Sequence, residues 1–423
     1  MEIPKVDMSE SPPAFGHPML KYFVLDPSYI NLNNGSYGTL PLPVLRDSEE
    51  RAREVEKNPD RFMRLTYTPL LKESRNKVAQ FLEVDTDDIV LVPNATHGVN
   101  TVLRNFIWNK DDVIIFNGVT YPAVSRTIRY IADINPEVQL KPYSLEFPTT
   151  SAKILEGFRA HLRSVPRFPG QKVVSVIDSI VSNPGVLLPW KAMAQICKEE
   201  GVLSVIDAAH SIGQEFEINL KQSDPDFWVS NCHKWLYTKR GCAVLYVPKR
   251  NQHYIKSTLP TSTYYSSPND GPGAPEPPNF VNQFAWTGTH DVTTYLSIPA
   301  AIDFRRWIGG EEAINEYCHN LALKGGRRLA DILGTAVLDE NGEFTAHMVN
   351  VELPLTVTGA PLEIASKVRD ILLNDWNIFS QTFFHNGKWW SRSSVQIFNE
   401  ISDFERLGEA YKHVCETLNN GDK

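Results

Sequence analysis

Basic side chains are in deficit in this chain. There are 42 Lys and Arg against 50 Asp and Glu, a formal net charge of −8 with histidines neutral. That balance argues against nucleic acid as the main partner, because displacing counterions from a phosphate backbone needs a basic surface. No run of about 18 apolar residues exists, so no helix is predicted to span a membrane. The opening MEIPKVDMSESPPAFG lacks the basic start and apolar stretch of a signal peptide. Cysteine is scarce: five, at 197, 232, 242, 318 and 415, with no CxxC pair. Free thiols in a reducing, cytoplasmic compartment are expected, with no disulfide framework and no structural zinc. Cys232 beside His233 has no second ligand pair at metal spacing, so no metal site is predicted. No GxGxxG follows a strand, and HExxH and GxSxG are missing, which argues against a dinucleotide site, a zinc protease and a serine-hydrolase elbow.

What is present belongs to a globular protein: 42% hydrophobic and 22% charged residues over 423 positions. That length exceeds what one core usually supports, so two domains, or one with an appendage, are expected. The Pro- and Ser-rich opening is expected to be poorly ordered, with structure starting near Phe15. Residues 44–81 read as helices, with apolar stripes through Leu45, Val55, Phe62, Leu65, Leu70, Val78 and Phe81. Short apolar runs then alternate with helical stretches: 89–93, 113–116, 173–177, 203–206, 227–230 and 242–247. This rhythm predicts βαβ units and a mostly parallel sheet buried on both faces, with ligands at the carboxyl ends of the strands. Residues 258–283, dense in Pro, Gly and Ser, form a long loop, read either as a lid or oligomer contact or as an exposed connection. A smaller α/β region follows, with strand-like HMVNVEL at 347–353 and SSVQIF at 393–398.

Two segments carry the chemistry. In VIDAAHSIGQ a strand delivers Asp207 at its carboxyl end; in FWVSNCHKWLYTKRGCAVLYV another delivers Asn231, His233 and Lys234. Asp207 and Lys234 are 27 residues apart, about one βα unit. A lysine and a carboxylate on neighbouring strand ends suit pyridoxal phosphate (PLP): the amine forms a Schiff base with the aldehyde, and the acid keeps the pyridine nitrogen protonated. A lone Asp–Lys pair reads equally as a surface ion pair; the neighbouring residues favour the cofactor.

These segments, with NLNNGSYGTLP at 31–41 and WSRSSVQIFNEISDFERL at 390–407, resemble the fold-type I, class V PLP enzymes. That group contains cysteine desulfurases and isopenicillin N epimerase-like proteins. The resemblance covers most of the chain. It implies an α/β fold with a mostly parallel central sheet, flanking helices and a smaller C-terminal α/β domain. The expected division is a segment 1–39 near the substrate, a large cofactor domain 40–300 and a small domain 301–423. The resemblance makes Lys234 the Schiff-base lysine, Asp207 the pyridinium partner and His210 the group beside the phenolic oxygen. Ala95 and Thr96 match a phosphate-binding turn, where helix N-terminal amides face an anion. His97 in that turn either touches the site or caps a helix at the surface. Tyr121 matches the residue that stacks on the ring, with a junction-packed tyrosine as the alternative. Ser182 matches a polar neighbour of the phenolic oxygen. Asn231 and His233 match phosphate-side residues, though many relatives carry Ser or Thr in place of Asn231. Thr287, Gly288 and Thr289 match a loop that reaches the partner's cofactor, which implies a homodimer. Arg392 matches the arginine that holds a substrate carboxylate, its fork suited to both oxygens. Asn33 and Asn34 line the substrate side.

The reaction is expected to act on an amino acid through an external aldimine and a Cα carbanion, making or breaking a bond at Cα, Cβ or Cγ. Cys318 and Cys415 read as helical, so no cysteine sits on a mobile loop to accept sulfur, which argues against persulfide transfer. The patterns NLNNGS, NCHKW and RSSVQIFN resemble the isopenicillin N epimerase-like branch found in fungi. That branch includes a C–S lyase of ergothioneine synthesis and a loline-pathway enzyme closing alkaloid rings by a Mannich-type step. The expectation leans to ring formation, with C–S β-lyase and then epimerase as alternatives. A non-catalytic module of the same fold is the reading from another class, and the intact Asp207, His210 and Lys234 count against it.

Overall fold

The β-branched runs become strands because their side chains suit a pleated surface packed on both faces. The structure, a computed structural model, describes residues 8–256, 258–261, 265, 267, 269–271 and 279–421. The start of the Pro- and Ser-rich opening and much of the loop 258–283 lie outside the described residues. Seven strands form the central sheet: β1 (Ile89–Val92), β2 (Val113–Asn117), β3 (Gln139–Tyr143), β4 (Val173–Asp178), β5 (Leu203–Asp207), β6 (Phe227–Asn231) and β7 (Ala243–Tyr246). Their order is β1-β7-β6-β5-β4-β2-β3. β2 to β6 run parallel, and β7 lies antiparallel between β1 and β6. All six apolar runs form strands. β3 carries no such run: it is an edge strand, only partly buried, so its sequence QLKPY tolerates Lys141 and Pro142.

Apolar cores line both faces of this sheet, one around Ile115, Ile177 and Ile206 and the other around Val90, Ile114 and Val205. A third core joins Met19, Phe23 and Leu32 from the N-terminal segment to Phe304, Phe398, Phe404 and Tyr411. The N-terminal segment is thus packed with the C-terminal part. Its Ile30–Asn31 pairs in parallel with Ile378–Phe379, and Asn33 bridges to Ser394. The helix Ile298–Trp307 runs across the expected boundary at residue 300.

The smaller sheet is antiparallel: β8 (Met348–Glu352), β9 (Gln381–His385) and β10 (Lys388–Ser394), in the order β9-β10-β8. HMVNVEL forms a strand as read. For SSVQIF the strand lies earlier: β10 ends at Ser394, while Val395, Ile397 and Phe398 leave the sheet and fill the third core. A short apolar run reports burial, not conformation. The helical reading of 44–81 holds for Leu42–Lys57 and Tyr67–Leu82, joined by a π-turn at Phe62–Thr66. Leu65, expected on the apolar stripe, is exposed, because the wider turn shifts the helical phase.

Candidate active site

Parallel strands end together, so their last residues share one rim. β4 ends at Asp178, β5 at Asp207 and β6 at Asn231, with Asp178 directly opposite Asp207. One short helical turn follows β6, Cys232–Trp235, and carries Lys234. A cavity of about 180 Å³ opens there. It is lined by Ala95, Thr96, Tyr121, Ser182, Asp207, His210, Asn231, His233 and Lys234, all expected, and by Ser36, Asn94, Asp178 and Ala209 among those that were not.

Lys234 Nζ lies 3.0 Å from His210 Nε2. Burial pulls the lysine down to about 7, aided by Arg392 and opposed by Asp207. Burial also holds His210 well below its ordinary value, with Lys234, Arg392 and His233 adding to the effect. Asp207 is raised by burial, and Asp178 by burial and then by Asp207. Two carboxylates this close disfavour a double negative charge. Asp178 accepts from Thr120 Oγ1 at 3.2 Å and Asn117 Nδ2 at 3.4 Å, while Asp207 Oδ1 accepts from Ala209 N at 3.1 Å.

Several expected residues serve the protein's own framework. Asn231 Oδ1 accepts from Ala95 N at 2.8 Å and so anchors the start of the helix Ala95–Asn105. His233 Nδ1 contacts Cys242 O at 2.9 Å. A carbonyl only accepts, so Nδ1 carries the proton and Nε2 does not donate unless the ring is charged. Burial pulls His233 down to about 4. Asn34 is tied to the lysine turn, with Nδ2 donating to Lys234 O at 3.0 Å and Oδ1 accepting from Thr39. A residue that sequence reading passed over, Arg305, donates to Trp235 O at 2.8 Å and Gly213 O at 3.0 Å while paired with Glu311. No motif signals it, because the partners are backbone atoms distant in sequence.

Arg392 is 3% exposed. Its guanidinium donates to Ser182 O (2.7 Å), Asn33 Oδ1 (2.9 Å) and Ser36 Oγ (3.0 Å). Nε is buried without a hydrogen-bond partner, and no described carboxylate pairs with the group. Burial draws it down to about 10. Gly185 leaves the room: a Cβ there would lie 2.9 Å from the arginine chain. Trp390 and Trp389 precede it in β10 and point to opposite faces, Trp390 on the arginine's side in the sheet core and Trp389 in the third core.

Thr287, Gly288 and Thr289 do not line this cavity. With His97, Asp291 and Tyr295 they line a separate hollow of about 320 Å³. His97 Nε2 contacts Thr258 Oγ1 at 3.2 Å, which places it on that side.

The residues fit PLP. Asp207, 3% exposed, forms no ion pair among the described residues, and a protonated ring nitrogen would supply one. The lysine amine is available near neutral pH, and the start of a helix at Ala95 faces the same cavity.

Comparison with known proteins agrees. Residues 32–360 match the model of the class-V aminotransferase family. The chain is 35% identical to the L-cysteine desulfhydrase-like protein lolT1 of Epichloe uncinata, over 96% of this chain and 97% of that one. It is 34% identical to the hercynylcysteine sulfoxide lyase of Schizosaccharomyces pombe, over 95% and 98%. It also superposes on a solved structure of C-DES with glycine covalently linked to its PLP cofactor. There the TM-score is 0.74 at 16% identity, over 91% of this chain and 96% of that one.

Proposed function

The chain belongs to the class-V aminotransferase family and uses pyridoxal phosphate, and from that premise we propose that it cleaves the C–S bond of a cysteine-derived amino acid. The observation that carries this reading is the cluster of Lys234, His210 and Asp207 beside a buried arginine with no counter-ion among the described residues. When bound, the cofactor supplies an aldehyde for a primary amine and a ring that withdraws electrons from Cα.

The chain's residues do the rest. Arg392 takes the substrate carboxylate, its unpartnered Nε giving one more donor. Asn33 and Ser36 hold the arginine in place. Asp207 holds the proton on the ring nitrogen. Thr96 holds the phosphate through its backbone N–H and hydroxyl, while Ala95, whose N–H is donated to Asn231, shapes the turn that presents them. His233 adds a donor to the phosphate only when protonated. Tyr121 and Ser182 line the cavity, where Tyr121 offers a ring face for the pyridine to stack on. Lys234 Nζ takes the proton from Cα. The electron pair of that C–H bond forms the Cα–Cβ double bond, and the Cβ–S pair leaves on sulfur. Hydrolysis then yields pyruvate, ammonia and a thiol or sulfur acid.

Sulfur transfer to the chain itself lacks an acceptor. All five cysteines are buried, Cys318 and Cys415 within helices as read from the sequence. The printed name of lolT1, an L-cysteine desulfhydrase-like protein, sides with cleavage, and nothing in the comparisons supports the lean to ring formation.

Incubation with amino acids bearing a β-thioether or β-sulfoxide tests the reading, with products followed by mass spectrometry. Pyruvate is expected from at least one, together with a visible cofactor band near ~420 nm that Lys234→Ala removes. No pyruvate from any of them, but a heavier cyclic amino acid from a γ-substituted substrate plus an aldehyde, would replace cleavage by ring formation.

A further inference from the structure

One imidazole is held at both ring nitrogens by two consecutive residues. Lys234 Nζ is 3.0 Å from His210 Nε2, and Trp235 Nε1 donates to His210 Nδ1 at 3.3 Å. An indole N–H only donates, so Nδ1 must be an acceptor and carry no proton. In the neutral ring the proton then sits on Nε2, pointed at the lysine nitrogen. A lysine can accept that proton's hydrogen bond only as the free amine, because an ammonium has no lone pair.

We infer that Trp235 is a positioning residue that fixes His210 as the Nε2–H tautomer. His210 thereby becomes a donor toward the reacting centre and not a base, and Lys234 is kept as a free amine. The surroundings make the lock firm. Trp235 is fully buried, its carbonyl held by Arg305 and its ring edge-on to His347 at 5.6 Å. A Cβ on Gly35 or Gly213 would press on its ring or backbone at 3.0 and 2.6 Å. The charged or titratable groups facing His210 and Lys234 are Asp207, His233 and Arg392, and burial of the pair outweighs each of them. The proton at Cα accordingly falls to Lys234 alone.

This rests on Lys234 being the cofactor lysine, so two measurements are paired. The first is ring-nitrogen NMR of holoenzyme labelled with [15N]histidine, the His210 signals identified among the 11 histidines by their loss in His210→Gln. The expected result is a protonated Nε2 and a bare Nδ1 across neutral pH. A protonated Nδ1, or rapid averaging of both forms, overturns the inference, and this reading does not depend on where the cofactor attaches. The second is the rate at which the full chain, stripped of cofactor, captures added pyridoxal phosphate as a function of pH. Capture should fall on the acid side with a midpoint near the lysine's value of about 7. Replacing Trp235 by benzothienylalanine keeps the shape and removes the N–H; Trp235→Phe removes more. Without that donor, His210 can present a bare Nε2 to an ammonium, so the midpoint should rise by roughly half a pH unit or more. A midpoint unmoved in a folded benzothienylalanine protein overturns the inference. Absence of any visible band in the wild type, with the Nε2–H tautomer intact, instead removes the cofactor reading.

Discussion

Arg392 shows what a single residue contributes. A buried guanidinium ordinarily pairs with a carboxylate, since an unpaired buried charge is costly. Here three neutral oxygens take three of its five N–H donors, and the buried Nε has no partner among the described residues. That imbalance fits a charge that completes its partners with substrate. Arg392→Ala should weaken binding of a non-reactive amino-acid analogue by about 1.5–3 kcal/mol, roughly ten- to a hundred-fold. Arg392→Lys should recover only part of it, since the fork is lost. Equal affinity in calorimetry across all three proteins would take Arg392 out of the substrate site. The residue type and its tryptophan neighbours were readable in the chain; the missing counter-ion was not, because it depends on what every other element brings near.

At the scale of elements, the site is a convergence of short turns. The turn Cys232–Trp235 carries Lys234 and Trp235, and the N-terminal segment lies against it through Asn34. Gly38 makes the approach possible. Its φ is +68°, and a Cβ there would sit 1.8 Å from His233 O, far inside contact distance. Gly38→Ala should therefore push the segment off the lysine turn. A loss of about 1–3 kcal/mol or more is expected, read as a lower thermal midpoint together with faster cofactor loss in dialysis. A midpoint equal to that of the wild type would contradict the close approach. The apolar runs disclosed six of the seven central strands because strands buried on both faces have no alternative composition. β3 escaped because an edge strand is free to be polar, and the end of β10 was misplaced because buried chain need not be extended. Asp178 also escaped: alone it is one more strand-end acid, and only its register opposite Asp207 places it in the cavity.

At the scale of the whole molecule, the loop 287–289 faces a different hollow from the one holding Lys234. We propose, as the family resemblance implies, that it serves the cofactor of a second copy. Mixing tests it. A chain with Lys234→Ala and a chain with Thr287→Asp and Thr289→Asp should each be inactive alone. Co-refolded or co-expressed, they form some dimers with one intact composite site, and activity should return to roughly a quarter of the wild-type level if pairing is random. No recovery, with heterodimers demonstrated by mass, would place the loop's role within its own chain. The N-terminal segment, sharing a core with residues 301–421, brings Asn33 and Ser36 to Arg392, so both ends of the chain meet at the substrate side.

The sequence by itself determined six of the seven central strands and the family, and pointed to Lys234 and Asp207, because these rest on local patterning and on short motifs. The tertiary structure decided which side chains are free to act. It committed Asn231 and Asn34 to framework bonds, left Arg392 without a counter-ion among the described residues and turned one tryptophan toward His210. The physical reason is that a hydrogen bond, a tautomer and a buried charge each depend on all the atoms within a few ångströms, and folding draws those atoms from everywhere in the chain.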